Sequence, residues 1–106
     1  MFDRHEGVVM SAYFIFHNRI TDRAKMADYI QKALVTLAPY NVEVLVADEN
    51  CSVIEGQTEF PRMVVIKFNS RADAERWYNS PEYAAVRPLR LEATEGFGVL
   101  ANGYGA

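Results

Sequence analysis

The chain has 106 residues, half of them hydrophobic, with 11 Lys and Arg against 14 Asp and Glu for a formal net charge of -3. That length allows one domain with a single modest core, and so large an apolar share in so small a body points to burial against a second surface. The negative balance and the lack of any Lys/Arg cluster argue against nucleic acid and against an anionic membrane as partners.

Met1 to Val9 is mixed and aperiodic and reads as an N-terminal extension open to disorder, ahead of a single domain over residues 10–101 and a tail over residues 102–106. Met10 is itself a candidate start. Ala12 to Arg19 has the alternation of a strand: one side carries Ala12, Phe14 and Phe16, the other Tyr13, Ile15, His17 and Arg19. Asp22, or Thr21 before it, can cap a helix in which Met26, Tyr29, Ile30, Ala33, Leu34 and Leu37 recur at helical spacing until Pro39 stops it.

Val42 to Ala47 is β-branched and apolar on both sides apart from Glu43, and Asp48-Glu49-Asn50 ends it. Cys51 to Glu55 is expected to pair back as a short hairpin arm before Gly56. Cys51 is the single cysteine, so no internal disulfide forms, and no basic neighbour activates it. With no apolar run long enough for a signal core or a membrane span, a reducing cytoplasm is the expected location. Arg62 to Phe68 is a further strand, apolar on both sides except for Arg62 and Lys67.

Ser70 stands three residues before Asp73, so its hydroxyl can accept from the Asp73 amide and a helix should begin at Arg71. Ala74, Trp77 and Tyr78 then share one face. Ser80-Pro81 supplies a second cap and a proline at the first helical position, where its missing amide hydrogen costs nothing. Pro88 should interrupt that second helix, which leaves the alignment of Tyr83 with Arg90 seven residues on unsettled. Gly96 to Ala101 reads as the last strand.

The order strand, helix, strand, strand, helix, strand fits a ferredoxin-like split βαβ domain of the α+β class, an antiparallel sheet with helices on one face. Because the strands are apolar on both sides, the second face of the sheet needs a cover, most economically the same face of a second copy. A homodimer is therefore expected.

Ser70 with Ala74, Trp77-Tyr78, Ser80-Pro81-Glu82-Tyr83 and Pro88-Leu89-Arg90, together with Glu55-Gly56, Arg62 and the Val64 to Phe68 strand, resemble the family called domain of unknown function 1330. The resemblance runs from Met10 to about Leu100 and implies the fold of the dimeric α+β barrel superfamily. That superfamily includes cofactor-independent monooxygenases, haem-degrading enzymes, lactone isomerases and small stress-linked proteins, so fold alone does not choose an activity. Two departures stand out. Family members usually carry a glycine pair before the second strand and an acidic residue just before the phenylalanine of the third, where this chain has Tyr40-Asn41 and Lys67.

His17 is the one histidine inside the predicted fold, and beside Tyr13 and Arg19 it is a candidate base; the plainer reading is a solvent-facing or hydrogen-bonded histidine near a strand end. One imidazole makes no zinc site and leaves haem ligation a minor option, so no metal and no cofactor are expected. Tyr13, Tyr29, Trp77, Tyr78 and Tyr83 can line a cleft between helices and sheet suited to a flat organic ligand, or simply fill the core, which is the preferred reading for Trp77. Arg62 and Arg90 can bind a carboxylate on such a ligand, although structural ion pairs with Glu55 or Glu82 are the more ordinary expectation.

The first hypothesis is a homodimer that binds a small aromatic or carboxylate-bearing metabolite in that cleft. The second is a cofactor-independent monooxygenase or isomerase with His17 as base. The third is a dimeric module without a ligand, whose aromatic residues are core.

Overall fold

Alternation along β1 (Ala12–Ile20) sets the layering of the molecule. Ala12, Phe14, Phe16 and Asn18 are buried on one side, whereas Tyr13, Ile15, His17 and Arg19 are half-buried on the other. The structure, a computed structural model, describes residues 10–105; the N-terminal extension lies outside the described residues. After β1 come α1 (Arg23–Leu37), β2 (Glu43–Asp48), β3 (Arg62–Phe68), α2 (Arg71–Tyr78), α3 (Pro81–Ala93) and β4 (Thr94–Asn102).

The four strands form one antiparallel sheet in the order β2-β3-β1-β4. This is the expected ferredoxin-like α+β architecture. Cross-strand partners share a face, so the register extends the layering of β1 across the sheet. Phe14 lies opposite Ile66 and Leu100, and Asn18 opposite Arg62 and Gly96, on the helix side. Ile15 lies opposite Val65 and Val99, and His17 opposite Met63 and Phe97, on the open side.

Local signals place the helices. Asp22 accepts from the Lys25 amide at 3.0 Å, Ser70 from the Asp73 amide at 3.1 Å, and Ser80 from the Tyr83 amide at 3.1 Å. Each cap satisfies an amide that the first turn leaves orphaned. The helices then bury Met26, Tyr29, Ala33, Leu37, Ala74, Trp77, Tyr83, Val86 and Ala93 against Phe14, Phe16, Ile66 and Phe68. Trp77 is wholly buried and donates from Nε1 to the Thr36 hydroxyl at 3.0 Å, so it is core, as preferred.

Four local expectations need correction. Residues 51–55 form no hairpin arm. A single backbone bond, from Cys51 to the Pro61 carbonyl at 2.8 Å, closes an irregular loop whose Val53 and Ile54 are exposed. Pro88 does not interrupt α3, which runs unbroken to Ala93. Pro88 and Ala84 both face solvent, so water can take the hydrogen bond that the Ala84 carbonyl loses. Ile30 and Leu34 sit outside the buried stripe of α1. β4 starts at Thr94 rather than Gly96, because α3 passes directly into the sheet.

Two backbone positions explain themselves. Asn41, just after a 3-10 turn at Ala38–Tyr40, adopts φ 52, a left-handed conformation that asparagine tolerates and that a glycine would supply readily. Gly96 has φ +143, and a Cβ there would lie 2.3 Å from the His17 carbonyl oxygen. Only glycine fits that approach of β4 to β1.

Candidate functional site

The sheet sorts the candidate residues into two groups on opposite faces. Tyr13, His17 and Arg19 stand on the open face. The His17 ring meets Phe97 and Phe60 edge-on, with centroids 5.6 Å and 6.2 Å apart, and has no hydrogen-bond partner among the described residues. It borders a cavity of about 360 Å³ that the 51–60 loop covers together with Met63. Arg19 pairs with Glu95 and, at 3.7 Å, with Glu59. Lys67, the departure noted above, pairs with Glu43 at 3.6 Å on the same face.

Tyr29, Arg62, Trp77, Tyr78, Tyr83 and Arg90 all belong to the helix side, but not to one spot. Tyr78 stacks on Phe14 at 5.3 Å with the Arg87 guanidinium 4.8 Å from its ring, and borders a neighbouring depression with Arg90 and Gly98. Tyr83 lies behind the others, wholly buried and 4.0 Å from the Trp77 ring.

Tyr29, Arg62, Arg90 and the edge of Trp77 border a cleft of about 170 Å³ between α1 and the sheet. Its other walls are apolar, from Phe16, Met26, Ala33, Leu37, Val44 and Ile66 among others. For scale, a cavity of about 150 Å³ lined by apolar side chains accepts a benzene molecule. The cleft therefore has room for one aromatic ring or a short branched chain.

Both arginines are nearly buried, at 9% and 8% exposure. Neither forms the expected ion pair with Glu55 or Glu82, or with any other carboxylate among the described residues. Arg62 instead donates from a terminal nitrogen to the Asn18 side-chain oxygen at 3.1 Å. Arg90 donates from Nε to the Tyr83 hydroxyl at 3.2 Å and lays its guanidinium 4.7 Å from the Phe16 ring centroid. Tyr83 in turn shares a 2.8 Å hydrogen bond with Tyr29. The i to i+7 relation of Tyr83 and Arg90 is thus realised through the unbroken helix.

Burial pulls the Arg62 pKa below the usual arginine value, offset in part by the charge of Glu49. Burial is also the largest influence on Arg90, but the Tyr83 and Tyr29 phenols outweigh it and hold its pKa above that value. Desolvation, then the neighbouring Tyr83, push the Tyr29 pKa far up, so Tyr29 stays a neutral hydroxyl. Asn18 escaped the sequence reading. Its signal was the alternation itself, which puts position 18 on the same side as Phe16.

Among the described residues no three His, Cys, Asp or Glu side chains gather in a metal-binding group, and no helix is long and apolar enough to cross a membrane.

The family model described as Domain of unknown function (DUF1330) matches residues 11–104. The chain belongs to the DUF1330 family. No curated protein matches it. Among solved structures it is similar to RPA0582, a protein of unknown function from Rhodopseudomonas palustris, with TM-score 0.72 and 12% identity, covering 94% of this chain and 85% of that one. It is similar to SnoaB, a cofactor-independent oxygenase from Streptomyces nogalater, with TM-score 0.62 and 8% identity over 86% and 90% of the two chains. A dimeric protein of unknown function with a ferredoxin-like fold from Bacteroides fragilis matches with TM-score 0.55 and 14% identity over 89% and 94%. At these identities the likeness establishes the DUF1330 chain's fold and nothing of its chemistry.

Proposed function

We propose that this DUF1330 protein is a homodimer that binds a small aromatic or carboxylate-bearing metabolite in the cleft between α1 and the sheet. The observation that carries the ligand reading is a pair of nearly buried arginines on an apolar cleft, neither paired with a carboxylate among the described residues. Burying a charge without a counterion is costly, and an anionic ligand removes that cost on binding. The apolar walls suit the body of the ligand and the guanidiniums its acidic group.

The dimer reading draws support from the open face, where Phe97 and Val99 are half exposed beside Ile15, Val65 and Met63. Packing two such faces gives the dimeric α+β barrel. The Bacteroides fragilis protein of this fold is described as dimeric, as is one from Thermobifida fusca.

Native mass spectrometry of protein purified from cell extract tests both parts. A dimer that carries a small acid, released on denaturation and missing from Arg90→Met, is expected. Monomers, or dimers without ligand that gain none from a panel of aryl carboxylates, count against it.

The enzyme reading, with His17 as the base of a cofactor-independent monooxygenase or isomerase, places its chemistry on the other face. There His17 borders the cavity under the 51–60 loop. Its test is whether any turnover found disappears in His17→Gln.

A further inference from the structure

Tyr83 is wholly buried, and its hydroxyl touches two groups: the Arg90 Nε hydrogen, which it accepts, and the Tyr29 hydroxyl. Two directions of the tyrosine pair are conceivable. If Tyr29 donated to Tyr83, the Tyr83 oxygen would accept twice and its own hydrogen would have no acceptor among the described residues. A buried donor without a partner is penalised by its full desolvation cost. In the other direction Tyr83 donates to Tyr29, both the oxygen and the hydrogen of the deeper Tyr83 hydroxyl are used, and the chain runs Arg90 to Tyr83 to Tyr29 with each bond polarising the next. The Tyr29 hydrogen is then left over. Tyr29 lines the cleft, and Tyr83 does not.

We propose that Tyr29, Arg62 and Arg90 form a donor-only receptor for one carboxylate in this cleft, with Tyr83 as the positioning residue that turns the Tyr29 hydrogen toward the ligand. This rests on the ligand-binding reading above and narrows it to acids. Arg62 is held by Asn18 and Arg90 by Tyr83, so both guanidiniums are oriented before a ligand arrives. The tyrosine remains protonated because burial and Tyr83 raise its pKa, so the receptor presents hydrogens without competing negative charge. A neutral amide of the same shape offers one acceptor oxygen and brings two hydrogens that neither guanidinium can accept. Selectivity for the acid follows.

The test is titration calorimetry with benzoate, phenylacetate and cinnamate, and with the amide of each. Wild-type protein is expected to bind at least one acid and to bind its amide at least about tenfold more weakly, as loss of a charge-assisted hydrogen bond implies. Tyr29→Phe should lose about tenfold for the acid and less than about twofold for the amide. Tyr83→Phe should do the same, and the double variant should bind like Tyr29→Phe alone, since both remove one oriented hydrogen.

If neither acids nor amides bind, the ligand-binding reading fails and this inference with it. Equal binding of acid and amide leaves the ligand cleft standing and overturns the receptor. Acid selectivity that survives Tyr83→Phe, in protein whose circular dichroism matches wild type, overturns the positioning role of Tyr83. Should Tyr83→Phe not fold, the acid-to-amide ratio of Tyr29→Phe and of Arg62→Met decides for or against the receptor.

Discussion

Phe16 and His17 are adjacent in the chain and look into different compartments: the Phe16 ring lies 4.7 Å from the Arg90 guanidinium, while the His17 ring lies 5.6 Å from Phe97 across the sheet. The period of two along β1 thus separates the basic cleft from the histidine by the thickness of a sheet. One side-chain set lines the proposed ligand cleft, and the other lies on the open face of the sheet.

Val65 stands in the middle of the open face, paired with Ile15 and Val46. Val65→Asp should abolish a dimer that buries more than ~1,000 Å² in total, because an unpaired carboxylate would be desolvated at its centre. Analytical ultracentrifugation at micromolar concentration should show dimer for wild type and monomer or unfolded chain for the variant. An unchanged dimer would place the interface elsewhere.

Arg62 and Arg90 should be dispensable for stability. Removing a buried, unpaired charge relieves its desolvation cost, which offsets the roughly 1–3 kcal/mol penalty of leaving the Asn18 or Tyr83 oxygen without its donor. Arg62→Met and Arg90→Met should therefore melt close to the wild-type temperature while losing affinity for acids. A large fall in melting temperature would show the arginines to be structural.

Alkaline pH should weaken the fold through Tyr29. Its pKa is raised by burial and by Tyr83, so above the ordinary tyrosine value of about 10 the unfolded chain gives up this proton while the folded one keeps it. The unfolded state then binds fewer protons, and stability declines as pH rises, by up to about 1.4 kcal/mol per pH unit from this one group. Below about pH 9 the group contributes no slope. Urea unfolding between pH 8 and 11 should show a shallower decline in Tyr29→Phe than in wild type.

Gly96→Ala should disturb the β1/β4 pairing, since its Cβ would meet the His17 carbonyl oxygen at 2.3 Å in a backbone conformation that L residues rarely adopt. A loss of ~1–3 kcal/mol in thermal or urea unfolding is expected. Gly56, with φ +80 and open space around it, is the control: Gly56→Ala bears only the backbone strain.

Much of the fold could be read from short-range chemistry. Three capping side chains and a proline at the first helical position mark the helix starts, and the alternation of β1 and β3 marks the layers. Those signals involve neighbours within one turn or one pleat, so the chain carries them openly. The sequence does not show that residues 51–55 stay unpaired, because a single bond from Cys51 to Pro61 takes the place of a ladder, and composition does not count ladder bonds. The sequence does not show that Pro88 stays within α3, because an exposed proline loses only one hydrogen bond, and water can replace it.

The candidate residues were mostly visible by type, but their grouping was not. Tyr13 and Tyr29 look equivalent in sequence, and the sheet stands between them. The partners of Arg62 and Arg90 depend on contacts such as Asn18 with Arg62, 44 residues apart, which no local pattern encodes.

The most direct test of ligand binding in the cleft uses methyl-labelled protein titrated with phenylacetate and followed by proton–carbon NMR. The methyl groups of Met26, Leu37 and Ile66 border the cleft, and those of Ile15 and Met63 lie on the opposite face of the sheet. Saturable shifts of Met26, Leu37 and Ile66, with Ile15 and Met63 unmoved, are the predicted result. Shifts confined to Ile15 and Met63, or none at millimolar phenylacetate, would contradict it.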